Sequence, residues 1–192
     1  SVTIGNSVTT IGNYAFYYCT GLTSVTIPDS VTTIGEDAFF YCTGLTEINF
    51  NAVNMNDLSS DNYVFYRAGQ NSTGIKVTIG SQVTKIPAYL FYPYSDSSSY
   101  APKITSVEFE EGSVCTSISR SAFYYCTSLT GVYISDLKAW CEIDFEDCYA
   151  NPLYYAKKLY LNNQLVTDLV IPDGVTTIGD YAFWGCTGLT SV

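Results

Sequence analysis

Two hydrophobic rhythms alternate along the chain. Val25 and Ile27 flank Thr26, a period of two that predicts a short strand with one buried face. Pro28-Asp29 then breaks the run as a turn. Val31 and Ile34 supply a second apolar side, closed by Gly35. Ala38, Phe39 and Cys42 are spaced one and three apart, which predicts a single helical turn with all three side chains inward. Thr43-Gly44 makes a further corner, and Leu45 leads into the next strand. Three corners in 23 residues describe one flattened coil.

That coil is written again and again. Residues 2–24 read VTIGNSVTTIGNYAFYYCTGLTS, 25–47 read VTIPDSVTTIGEDAFFYCTGLTE, and 169–191 read LVIPDGVTTIGDYAFWGCTGLTS. A fixed period of this length is the signature of a repeat architecture. Degenerate copies lie at 48–76, with Phe65 in the Phe slot, at 77–106, with Phe91, and at 107–131, with Phe123 and Cys126. Segments 132–158 and 159–168 keep the strand-like starts Val132-Tyr133-Ile134 and Leu159-Tyr160-Leu161 but lose the Ala-Phe core. A lone coil cannot bury its apolar residues, whereas stacked coils share one core.

The reading is therefore a repeat solenoid, a single domain over 1–192, β-rich with short helical turns on the non-strand side. Coils are expected to begin near 2, 25, 48, 77, 107, 132, 159 and 169, with successive strands about 4.8 Å apart. The irregular middle covers 48–106 and 132–168. Ten residues between Leu159 and Leu169 are too few for a coil, so a hairpin-like excursion is expected there, and a helix around Asp136–Cys141. The extra residues of the longer units, at 54–60, 69–74 and 94–100, are rich in Ser, Asp, Asn and Gly and read as surface loops at coil corners. Ser1-Val2 and Ser191-Val192 occupy one register and no polar capping unit is visible, so a stretch of a longer array is expected.

The blocks IPDSVTTIGEDAFFYCTGLTEI and IPDGVTTIGDYAFWGCTGLTSV resemble the BspA-like leucine-rich repeats of bacterial and some protist surface proteins. The resemblance is specific at 2–50 and 169–192, good at 107–131 and weak elsewhere. It implies a right-handed leucine-rich-repeat superhelix on a secreted or cell-surface bacterial protein. It also implies adhesion or ligand recognition, with a host or neighbouring-cell protein or glycan as partner, and no catalysis. The family fixes no catalytic or ligand residues by motif, so none is carried over. Two other roles fit the same repeats: a structural spacer displaying another domain, and a substrate-targeting module attached to an enzyme.

Composition narrows the chemistry. The 8 basic and 18 acidic residues give a net charge of −10, the wrong sign for a nucleic-acid surface or for adsorption to anionic lipid. No apolar run approaches eighteen residues, so no membrane insertion is expected, and Ser1-Val2-Thr3-Ile4 is already repeat sequence rather than a signal peptide. Histidine is absent, which removes the commonest general base and every His-containing metal site. No catalytic, cofactor or metal residues are assigned.

Of the seven cysteines, Cys19, Cys42, Cys126 and Cys186 share one slot, three residues after the core Phe. No CxxC pair exists, and stacked coils point their Cβ atoms in parallel, which suits a disulfide poorly. All four are expected to be buried, reduced thiols acting as small hydrophobes. Cys115, Cys141 and Cys148 lie outside the slot, and Cys141–Cys148 is the pair among them best placed to bridge. The carboxylates at 108–111 and 142–147 match no calcium loop and read as a solvated face.

Two surfaces remain as binding candidates. Outward strand positions carry Thr and Ser in the regular units, but Glu47, Asn49, Glu108, Tyr133 and Tyr160 in the irregular ones. Side chains from successive strands there could grip one extended partner. The alternative is an aromatic ribbon that follows the core Phe of each coil: Tyr17, Tyr18, Tyr41, Tyr124, Tyr125 and Trp184.

Overall fold

The computed structural model describes residues 1–93 and 99–191. Twelve strands and two short helices are assigned among them: β1 (Thr10–Ile11), β2 (Ser24–Ile27), β3 (Thr33–Ile34), β4 (Glu47–Phe50), β5 (Ile75–Ile79), β6 (Lys85–Ile86), β7 (Ile104–Phe109), β8 (Ser117–Ile118), β9 (Gly131–Ile134), α1 (Leu137–Cys141), β10 (Asp144–Phe145), α2 (Leu153–Ala156), β11 (Leu159–Leu161) and β12 (Gln164–Leu165). One seven-stranded sheet runs the length of the stack in the order β12-β11-β9-β7-β5-β4-β2. From β2 to β11 every pairing is parallel, as a coil that returns to its start requires.

The register follows the repeat. Val25, Ile48, Val77, Val107, Val132 and Leu159 are successive partners, and Val2 bridges to Val25. Coils of different length stay in step because their extra residues leave at the corners. One residue is absorbed within the sheet: Ile75 faces Ile104 while Lys76 faces Ser106, so Thr105 is an extra residue of β7. Gly74, at φ +135°, makes room for it, since a Cβ at 74 would collide with the Thr105 side chain.

A second side is formed by two-residue strands, β1 with β3 and β6 with β8 and β10. The third side carries the core Phe, and its backbone differs from the single helical turn read from spacing. Residues two before that Phe (Tyr14, Asp37, Tyr63, Tyr89, Ser121 and Tyr181) all have positive φ. So do those two after it, Tyr18, Tyr41, Arg67, Tyr125 and Gly185. The left-handed kinks aim alternate N–H groups at the following coil: Asp37 donates to Asn62 O at 2.8 Å, Phe39 to Val64 O at 2.9 Å and Tyr41 to Tyr66 O at 2.8 Å. These bonds offset a left-handed cost of about 1–2 kcal/mol per non-glycine residue. Pro93 holds the corresponding slot after Phe91, and its ring confines φ to negative values, so that slot lacks the left-handed kink.

Ala38, Phe39 and Cys42 are fully buried, and the core Phe residues form a column. Phe39 stacks on Phe16 at 5.0 Å and on Phe65 at 5.2 Å, and the column continues through Phe91 to Phe123. One apolar cluster extends from Ile11 to Cys186.

The irregular coil 132–158 replaces repeat contacts with side chains. Asp136 caps α1, accepting from Lys138 N at 2.8 Å and Ala139 N at 3.1 Å. Trp140 fills the core and donates from Nε1 to Ala182 O at 3.0 Å. Asn151, wholly buried, donates to Tyr181 O and Ala182 O and accepts from Leu153 N. The expected helix is thus α1, and the expected excursion is the antiparallel hairpin of β11 and β12 around Asn162-Asn163.

One expectation about the thiols needs correction. Cys42, Cys126 and Cys186 are buried as expected, but Cys19 is exposed. Cys141 and Cys148 are unbridged; all seven thiols are free. Loop 69–74 folds against Cys42 and Thr43 through backbone bonds from Gly69 and Asn71, whereas 94–98 lies outside the described residues.

Candidate functional site

The sheet's outward side chains fall into rows set by the register. One row runs Thr26, Asn49, Thr78, Glu108, Tyr133, Tyr160, Leu165. The neighbouring row runs Ser24, Glu47, Lys76, Ser106, Gly131. Four of the five strand-face residues, Asn49, Glu108, Tyr133 and Tyr160, therefore share a row, and Glu47 sits one row away. Glu108, Tyr133 and Tyr160 are consecutive; Asn49 is two strands from Glu108, about 10 Å by strand spacing.

The tyrosines stack at 4.5 Å between centroids and 10° between planes. Gly131 lies beneath this pair. A Cβ there would come within 2.9 Å of the Tyr160 ring and 3.1 Å of the Tyr133 ring, so glycine lets both rings lean over the neighbouring row. Burial raises the Tyr133 phenol above its usual pKa, with Tyr160 and the charge of Glu108 adding to the shift. At neutral pH it is a hydrogen-bond donor beside a carboxylate. Lys76 forms an ion pair with Glu108, and Asn49 Nδ2 donates to Glu47 Oε1 at 3.1 Å. Lys76 thus belongs to the site although the side-chain sizes alone did not single it out.

At the edge of this face a hollow of about 250 Å³ is lined by Glu108, Glu111, Tyr133, Ser135, Asn162 and Asn163. Asn162 and Asn163 both take positive φ, the geometry of a tight hairpin turn that Asn tolerates. The Asn-Asn pair between two strand-like runs was the available signal for this part of the site.

The aromatic ribbon consists of stacked columns. Tyr17, Phe40, Tyr66 and Tyr100 stack in turn at 4.8, 4.2 and 5.5 Å. Tyr18 lies on Tyr41 at 4.6 Å, and the Arg67 guanidinium follows at 5.3 Å. Tyr124 stacks on Tyr92 at 5.2 Å and meets Tyr125 edge-on at 4.8 Å. Trp184, exposed, meets Tyr181 edge-on at 5.9 Å. In the stacked pairs the rings face one another.

The most deeply buried thiols are poorly suited to nucleophilic chemistry. Burial pushes Cys42 and Cys115 up to about 12 and Cys126 higher still, so each stays protonated at neutral pH. Among the described residues no group of three His, Cys, Asp or Glu side chains is placed to hold a metal ion, and no helix is long and apolar enough to cross a membrane.

Parallel coils, a shared apolar core and one continuous sheet define a leucine-rich-repeat solenoid. The BspA type leucine rich repeat region matches residues 1–98 and 155–192 in six copies, and the chain belongs to that family. Two solved structures match it: a leucine-rich repeat protein from Bacteroides ovatus ATCC 8483, 19% identical with a TM-score of 0.41, and a leucine rich cell surface protein from Faecalibacterium prausnitzii A2-165, 22% identical with a TM-score of 0.34. Each match covers 98% of this chain, which spans 53% and 52% of those chains, about half their length. No curated protein matches the chain.

Proposed function

We propose that the chain is a non-enzymatic recognition module of a bacterial cell-surface protein, and that it holds an extended host or neighbouring-cell protein or glycan across its strand face. The observation that carries this reading is the row Asn49, Thr78, Glu108, Tyr133, Tyr160, in which unlike side chains stand one strand spacing apart. Such a row lets side chains from several successive strands contact one extended partner, and Tyr offers large contact area with few rotors to freeze. Glu47 and Lys76 border the row and give it polar contacts.

Screening the chain against arrays of glycans and extracellular-matrix proteins tests the reading. A retained partner whose binding falls at least about tenfold in Glu108→Ala supports it. Array-wide silence contradicts it and favours the spacer role.

A further inference from the structure

A second concavity, on the turn side of the solenoid and independent of the strand face, has a volume of about 490 Å³. Its walls include Thr20, Tyr41, Thr43, Arg67, Asn71 and Ser99. Arg67 occupies the slot that holds Tyr18, Tyr41 and Tyr125 in other coils, with the same left-handed backbone (φ 54° against 59°, 57° and 56°). Its guanidinium takes the place of a ring in the column, 5.3 Å from the centroid of Tyr41 and 5.4 Å from that of Tyr100.

Two hydrogen bonds fix the plane of this group. Nη1 donates to Tyr41 Oη at 2.6 Å and Nε to Ser99 O at 3.0 Å. A guanidinium carries five N–H donors, so these bonds leave three. Among the described residues the ion pairs belong to Lys76, Lys85 and Arg120 and none gives Arg67 a carboxylate partner, in a chain of net charge −10. The pocket rim is held in shape as well: Asn71 Nδ2 donates to Thr43 Oγ1 at 3.1 Å and Gln70 Nε2 to Ala101 O at 2.8 Å.

We propose that this pocket binds a carboxylate-bearing sugar, with the carboxylate on Arg67 and the hydroxyls on the surrounding side chains. A planar guanidinium with unused donors matches a carboxylate in charge and in fork geometry. A wall of hydroxyl, amide and phenol groups matches a polyol. One cation balances a single negative charge, while the net charge of the protein disfavours a multiply charged phosphate.

The repeat itself supplies the control. Arg67→Tyr places in the slot the residue that three other coils already hold there, so the fold tolerates it while the cation is lost. Arg67→Lys keeps the charge and removes the fork. Glucuronate, glucose and acetate are titrated into the whole chain and followed by backbone amide chemical shifts, with melting temperature as the check on folding. The expected result is saturable glucuronate binding with shifts around Thr20, Thr43 and Asn71, weakened at least tenfold by Arg67→Tyr and partly by Arg67→Lys. No glucuronate binding, equal binding by Arg67→Tyr, or glucose or acetate binding as tightly as glucuronate would each overturn the proposal.

Discussion

Phe39 lies wholly out of solvent between Phe16 and Phe65, and its ring is shared by three coils. Phe39→Ala should cost about 3–5 kcal/mol, read as a lowered denaturation midpoint, because stacked neighbours on both sides cannot close the gap. Asp37 presents the opposite case. It fills a left-handed slot occupied by Tyr or Ser elsewhere, its Oδ1 is buried without a hydrogen-bond partner, and burial with Glu36 beside it raises its pKa to about 6. The folded state therefore holds this proton more tightly than the unfolded chain does. The group destabilises the fold increasingly as pH rises from about 4 to about 6 and fully above that, and the penalty disappears as pH falls toward 4. Asp37→Asn should raise the melting temperature at neutral pH and leave it nearly unchanged near pH 4; thermal unfolding at the two pH values measures this. Single residues were legible where apolar spacing dictates burial, as at Ala38, Phe39 and Cys42. The left-handed backbone at Tyr14, Tyr41 and Arg67 was not, because these side chains carry no intrinsic signal for it; the bonds between coils impose it. Cys19 has the same motif as Cys42, yet Cys19 is exposed and Cys42 buried, a difference the motif does not carry.

At the scale of the element, the sequence shows where strands start because each start retains its alternating apolar pair even in degenerate units. Val132-Tyr133-Ile134 and Leu159-Tyr160-Leu161 stay in register with Val25 although the Ala-Phe motif has gone. The helix at Leu137–Cys141 was legible through Asp136 and the apolar spacing after it. The substitute contacts of that coil were not, because they join residues 30 to 42 positions apart with no repeated pattern. Asn151 is the clearest of them. Asn151→Leu keeps a similar volume but removes the donors to Tyr181 O and Ala182 O. It should destabilise the chain by about 1–3 kcal/mol, the cost of leaving buried carbonyls unpaired. Hydrogen exchange should show protection lost first at the amides bonded within 179–189, with the sheet from β2 to β9 still protected.

For the whole molecule, a 23-residue period determines architecture far more tightly than function. The period demands a stacked sheet, and the sheet aligns outward residues into rows; Asn49, Glu108, Tyr133 and Tyr160 are brought together by that rule alone. The Lys76–Glu108 ion pair, the Gly131 floor under the tyrosines and the hollow beside Asn162-Asn163 depend on neighbouring coils and emerge only in three dimensions. The stacked columns likewise show how Tyr18 and Tyr41 pack, which spacing along the chain could not distinguish from an open ribbon. The most direct measurement of the recognition reading compares two double variants for binding to a partner identified on the arrays, with folding checked by circular dichroism. Tyr133→Ala with Tyr160→Ala should weaken binding at least about tenfold, while Tyr18→Ala with Tyr125→Ala should leave it near wild type. Loss of binding only in the second pair would contradict the strand-face account and place the partner on the aromatic columns.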